Sequence, residues 1–286
     1  MSPSKTILGM EQTFIFQLFK YGIYLLIFIN IIQFFIEDYS AAEHTFRDGV
    51  DWPQFTDAYA TTIDSTAWLI LLLMFELETY VISDKKFKGL TRWLLQIIGA
   101  LCLLMILVAF RGYWDKFMMT QAFALSSYEN ACAAVGLVQS YAVDLDEYFA
   151  LTAQNCASIS GTRLYLHEAN SLLASSDILT RMKNLALTDV VNAGTWILVV
   201  IVLEIDLILQ VRGELTKKIY KINAYVKSAL YLVLFAAAVY WGFLSAFLDF
   251  WDAFLWIVAF FLIELNLFQW NEETRTADPA LDEVAP

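Results

Sequence analysis

Proline is nearly missing from this 286-residue chain: its four copies stand at positions 3, 53, 279 and 286. The long apolar stretches therefore run without the residue that most often breaks a helix. Charge is also scarce, at 17% of residues against about 25% in water-soluble domains. That shortage excludes a soluble globular enzyme, and with a net charge of −12 it leaves no basic face for nucleic acid. Only three cysteines and two histidines occur, with no Cys-x-x-Cys or Cys/His spacing, so no zinc site is expected. Both histidines, His44 and His167, fall outside the apolar runs, which leaves a membrane-embedded haem without histidine ligands. No nucleophile motif, phosphate loop or intramembrane protease spacing is present, so neither an enzyme nor a cofactor is expected.

What the chain has is hydrocarbon. It is 59% hydrophobic, with a mean hydropathy of +0.57, and the excess is gathered into runs long enough to cross a bilayer. About 20 mostly apolar residues span about 30 Å of hydrocarbon. Six stretches qualify: 14–36, 66–83, 93–112, 190–210, 226–247 and 251–270. The expected class is an all-α integral membrane protein with six transmembrane helices. Because no proline interrupts a span, broken-helix substrate sites are not expected.

Lys and Arg set the orientation. The connector after the second span carries Asp84 against Lys85, Lys86, Lys88 and Arg92, a net +3. The connector after the fourth carries Glu214 against Arg212, Lys217, Lys218, Lys221 and Lys227, a net +4. The segments 37–64 and 113–189 carry −6 and −4. The positive-inside rule then places both termini and both basic connectors in the cytoplasm. The tail 271–286, with five acids against Arg275, reads as an acidic, disordered extension. Ser40-Ala41-Ala42 supplies small residues of the kind a signal peptidase cuts, but the preceding apolar run is too long and Glu37 and Asp38 interrupt the approach. The first span is expected to be retained. No Asn-x-Ser/Thr acceptor occurs, which favours a bacterial inner membrane.

Between the third and fourth spans lies an outer segment, 113–189, too long for a structureless loop. Val138, Tyr141, Ala142, Leu145, Tyr148 and Phe149 recur at helical spacing, so a small helical extracytoplasmic cap is expected. Cys132 and Cys156 lie in this segment, where disulfides form, and are expected to be bridged. Cys102 lies mid-span and reads as a small apolar residue.

The sharpest pattern is internal repetition. Asp64, Trp68, Glu76 and Glu78 in the second span share their spacing with Asn192, Trp196, Glu204 and Asp206 in the fourth. Asp252, Trp256, Glu264 and Asn266 in the sixth repeat it again. Each repeat follows a helix that begins near Lys20, Arg92 or Lys227. The reading is three helical hairpins. Mitochondrial carriers also have six spans in three hairpins, but they mark odd helices with Pro-x-[Asp/Glu]-x-x-[Lys/Arg]. Here the acids lie on even helices and no span holds proline, so that family does not match.

On a helix the first and last polar positions of each repeat lie fourteen residues apart, within about 40° and about 21 Å. Each even helix therefore carries a polar stripe. A carboxylate facing lipid costs about 2.5–3.5 kcal/mol at mid-span, so these acids must face protein or water. One reading is a cation or proton pathway through Glu76, Glu78, Glu204, Asp206 and Glu264, flanked by Asp64, Asn192, Asp252 and Asn266. The other is register-fixing ion pairs with Lys20, Arg92 and Lys227, and with Arg111 reaching outer acids such as Asp64 or Asp252. The three tryptophans, Trp68, Trp196 and Trp256, read as interfacial or packing anchors. The expected partners are the lipid bilayer, a monovalent cation or proton, and a periplasmic or membrane protein or a second copy. The expected function is cation or proton transport, with a non-transporting scaffold, assembly or sensor subunit as the alternative.

Overall fold

The computed structural model describes residues 6–7, 10–46, 49–51, 54–77, 90–159, 163–211, 217–244 and 246–277. Within these, the side chains at 6–15, 91–92, 207, 210–211, 217, 220 and 263–277 lie outside the description. Helix dominates. Four helices are long and apolar enough to cross a membrane, over Phe16–Thr45, Trp93–Gln121, Ser176–Asp206 and Lys221–Phe243. They mark the chain as a membrane protein. The expected span at 66–83 runs past Leu77 into residues outside the description, and that at 251–270 lies on a helix whose side chains from 263 on are outside it, so four is what the described residues carry.

Packing divides the chain into two compact units, one formed by Met1–Asn30 with Thr195–Pro286 and the other by Ile31–Gly194. The first holds a two-stranded ribbon, β1 (Thr6–Ile7) and β2 (Met10–Glu11). It also holds the first part of α1 (Gln12–Thr45), the later part of α5 (Ser176–Val211), and the pair α6 (Lys217–Phe243) and α7 (Phe247–Ala277). The α6–α7 connection is tight: Ala246 N–H donates to Trp241 O at 3.1 Å, and α7 starts one residue later. Leu234, Ala237, Ala238 and Trp241 on α6 and Leu255, Trp256 and Ala259 on α7 are buried, while Leu232, Phe235 and Phe261 face outward. Outward apolar side chains are what a helix surrounded by lipid presents.

The second unit holds the end of α1, a single turn α2 (Phe55–Ala58), α3 (Ala60–Glu76), α4 (Leu90–Gln121), a sheet, and the start of α5. Gly112 on α4 explains how closely α2 and α3 approach. A Cβ there would lie 2.8 Å from the Ala60 Cβ and 2.9 Å from the Thr56 carbonyl oxygen. Only hydrogen fits.

The segment between α4 and α5 is a sheet, and the expected helical cap is corrected here. Five short strands, β3 (Ala124–Leu125), β4 (Ser140–Ala142), β5 (Tyr148–Ala150), β6 (Leu164–His167) and β7 (Leu172–Ser175), pair in the order β3-β6-β7-β4-β5. All neighbours are antiparallel except β4 and β7. Tyr141 and Tyr148, which helical spacing would put on one face of a helix, belong to different strands, with Tyr141 facing Phe149 and Ala142 facing Tyr148. Between them Asp144-Leu145-Asp146-Glu147 makes the turn. Asp144 Oδ1 accepts from Leu145 N–H at 2.8 Å, and Val143 N–H donates to Glu147 O at 2.9 Å. Aspartate that bonds its own neighbouring backbone favours turns over helix. Ala131, Ala134, Val138, Leu151, Leu164 and Leu173 form the core of this sheet. Cys156 lies in that core and is bonded to Cys132, with their Cα atoms 4.8 Å apart.

Candidate functional site

Two copies of the repeated motif have a local physical cause. Asp64 Oδ1 accepts from the Trp68 indole N–H at 3.1 Å, one helical turn on. Its other oxygen accepts from the Tyr113 hydroxyl at 3.2 Å. Asp252 accepts from Asn30 Nδ2 at 3.0 Å and also from the Trp256 indole. An aspartate four residues before a tryptophan thus satisfies an indole N–H that would otherwise be buried without a partner. Trp68, Trp196 and Trp256 are all buried in the protein.

The remaining motif positions are scattered. Asp206 is held by Lys227 Nζ at 3.0 Å and by the Asn223 amide, which closes α5 onto α6. Glu76 is buried at the end of α3, Glu204 is exposed, and Asn192 is half-buried. Lys20 is buried, with its ammonium 5.0 Å from the centre of the Tyr21 ring. Glu78 and the side chains of Arg92, Glu264 and Asn266 lie outside the described residues. Arg111 pairs with Asp115 at 3.3 Å, a turn along its own helix, rather than with Asp64 or Asp252 as expected. An acid at i+4 is the nearest partner a helical arginine can have.

What the structure does bring together lies in the second unit. A half-open cavity of about 280 Å³ lies where α1, α2 and α4 meet the sheet. Its α1 wall is Asp38, Ala41, Ala42 and Thr45, continued by Phe46, and α2 adds Asp57 and Ala58. Asp115, Lys116 and Met119 come from α4. The sheet contributes Asp146, Tyr148, His167 and Asn170. Four carboxylates therefore face one ammonium across an otherwise largely apolar space. No group of three His, Cys, Asp or Glu side chains among the described residues has the arrangement of a metal site.

Each polar group in the wall is placed by an identifiable contact. Asp38 accepts from the Thr62 N–H at 3.0 Å and the Thr62 hydroxyl at 2.7 Å. Helix α3 begins at Ala60 behind Tyr59, which makes no side-chain cap. Asp38, from a different helix, therefore fills the role of an N-cap for an orphan first-turn donor. Lys116 Nζ lies 2.6 Å from Asp146 Oδ1, with Asp38 and Asp189 also acting on it. Two further ties reach the same hairpin. Arg181 on α5 binds Asp144 at 2.7 Å, and His44 Nδ1 at the end of α1 lies 2.9 Å from the Ser140 hydroxyl. The β4–β5 hairpin is thus gripped by three helices while two of its residues, Asp146 and Tyr148, line the cavity.

Burial shifts the groups around this hairpin. Asp144 is raised, by desolvation first and against the pull of the Leu145 N–H and Arg181. Tyr148 is raised, again by desolvation, and its hydroxyl donates to Leu145 O. His167 is lowered by desolvation, which favours the neutral ring. The Asn170 N–H donates to His167 Nδ1 at 3.2 Å, so the proton of the neutral ring sits on Nε2.

Sequence reasoning did not single out Asp38, Asp57, Asp115, Lys116 or Asp146 as a site. The one signal available was the acid density of 37–64 and 113–189, which reads equally as solvated loop. Compared with models of known families, with curated proteins and with solved structures, the chain matches none.

Proposed function

We propose that this chain is a multi-pass membrane protein that binds a small molecule in the cavity beside its sheet and passes the bound state to α1, α4 and α5. The observation that carries this reading is the β4–β5 hairpin, which supplies cavity wall through Asp146 and Tyr148 and holds all three helices through Lys116, Arg181 and His44. An occupant that contacts Asp146 acts on the same carboxylate that Lys116 uses. The six-span order with three hairpins, the basic connectors inside and the sheet outside belongs to this proposal, as does the bacterial inner membrane. It rests on the charge asymmetry of the connectors.

The test is native mass spectrometry of the full chain released from its membrane. Ala58 is buried in the cavity wall, and Ala58→Trp puts an indole into the space. A small-molecule mass carried by the wild type and missing from Ala58→Trp supports binding, and identical spectra refute it.

A second reading is cation or proton conduction along the even-helix carboxylates. Glu204 favours it, because this acid lies exposed beside outward-facing Ile201, Ile205 and Ile208, where a charge facing lipid is costly. In proteoliposomes this reading requires cation or proton flux above that of empty vesicles, reduced by single amides at Glu76, Glu78, Glu204, Asp206 or Glu264. The binding reading requires flux at the background level.

A further inference from the structure

The outward side of α5 carries a charge that the fold does not answer. Glu204 is exposed, and Leu198, Ile201, Ile205 and Ile208 beside it face outward. Helix α5 runs on to Val211, about 10 Å beyond Glu204, and Leu207, Ile208, Leu209 and Val211 keep most of that length apolar. The carboxylate thus stands within the apolar span and not at its polar margin. A carboxylate in hydrocarbon is costly, and as a rule it faces protein or pairs with a cation. Glu204 has no hydrogen bond or ion pair among the described residues.

The cation at this level is already taken. Asp206, two residues on and about 160° round the helix, binds Lys227 at 3.0 Å and the Asn223 amide of α6. Of the other described cations of this unit, Lys20 is buried, and Lys218 and Lys221 stand six or more residues before Lys227, about 9 Å or more along α6.

The apolar side chains say what kind of surface this is. Leu198, Ile201, Ile205 and Ile208 recur at 3-4-3 spacing, the a and d positions of a seam between two helices. Glu204 takes the g position beside that seam, where charged residues set the choice of partner. Two copies of the chain related by an axis along the membrane normal keep every residue at its own depth. Glu204 would then meet Glu204, with no described outward cation of this unit at that level. A different protein is under no such restriction.

We propose that this face of α5 docks a transmembrane helix of a partner protein, one that carries a lysine or arginine level with Glu204. The proposal is independent of the cavity. Two synthetic helices serve as probes, each a span of about 20 leucines, one of them with Lys in place of the leucine seven residues from one end. Each carries an acceptor fluorophore and is titrated, in phosphatidylcholine vesicles, against the full chain labelled with a donor at its amino terminus. The lysine helix is expected to associate about tenfold more tightly than the all-leucine helix, the scale of one polar contact between helices in a bilayer. Glu204→Gln should erase that preference, and Glu204→Asp should keep most of it. The comparison of the two helices on the wild type needs no variant to fold. Equal association of both helices with the wild type overturns the proposal, as does a lysine preference that survives in Glu204→Gln. Energy transfer between donor- and acceptor-labelled copies of the chain, lost in Glu204→Gln, would make the occupant a second copy and overturn it too. If both helices associate equally while Glu204→Gln lowers cation or proton flux, the carboxylate belongs to the conduction reading instead.

Discussion

Asp38 shows how one side chain can serve two elements. It sits on α1, yet its carboxylate closes the first turn of α3 through Thr62. Asp38→Ala leaves the Thr62 N–H with no acceptor in a buried setting, and losing an N-cap costs about 1–2 kcal/mol. Thermal unfolding of the full chain in micelles should show a lower midpoint, while a substitution at exposed Tyr39 should not. His167 acts through pH. Burial holds it below its ordinary 6.5, so the unfolded chain binds the extra proton between the two values. The contribution of this residue is intact above about pH 6.5 and is lost as pH falls from there through the lower folded value. Asp144, raised by desolvation, has the opposite sign: its ionised form costs stability at neutral pH and acid relieves it. The comparison must therefore be a difference. Between pH 7.5 and 5.5 the wild type should lose more stability than His167→Gln, and parallel curves would contradict the assignment.

At the level of elements, the long helices were legible and the sheet was not. A run of about 20 apolar residues has one physical meaning, and all four described spans overlap expected ones. The helices nonetheless extend well beyond the apolar windows, as α4 does to Gln121 and α5 does from Ser176. Their ends carry the charged residues that reach the sheet, Lys116 and Arg181. The strands are two to four residues long, too short for alternation to outweigh the helical spacing of Val138, Tyr141, Ala142 and Leu145. The disulfide was legible because it follows from compartment and count rather than from secondary structure. Reducing Cys132–Cys156 releases a loop with a sequence separation of 24, worth about 3 kcal/mol in the chain-entropy model. Calorimetry should show a lower sheet melting point with reductant and none of that change in a Cys132→Ala, Cys156→Ala chain. Gly112→Ala tests the helix packing. With Ala60 and the Thr56 carbonyl inside 3 Å of the new Cβ, overpacking of about 1–3 kcal/mol is expected, and an unchanged melting midpoint would mean α2 and α3 yield freely.

Across the whole molecule, the site escaped sequence reasoning because it joins segments that no local pattern connects. Asp38, Asp57, Lys116, Asp146 and His167 come from α1, α2, α4, the β4–β5 turn and strand β6, and each alone reads as an ordinary surface charge. The repeated Asp-x3-Trp motif was legible as a pattern, but Asp64–Trp68 and Asp252–Trp256 are contacts within a helix that satisfy the indole. In these two copies the Asp–Trp pair is a helix-packing contact, and neither aspartate lines the cavity. The central claim is that the β4–β5 hairpin joins the cavity to the helices, and hydrogen exchange on the full chain tests it most directly. Lys116→Met cuts the tie to Asp146 and leaves Arg181–Asp144 chemically intact. If the hairpin transmits, amides of Val143 and Asp144 and those of the first turns of α5 should all exchange several-fold faster in the variant. Faster exchange confined to α4 and the hairpin, with α5 unchanged, would contradict the account.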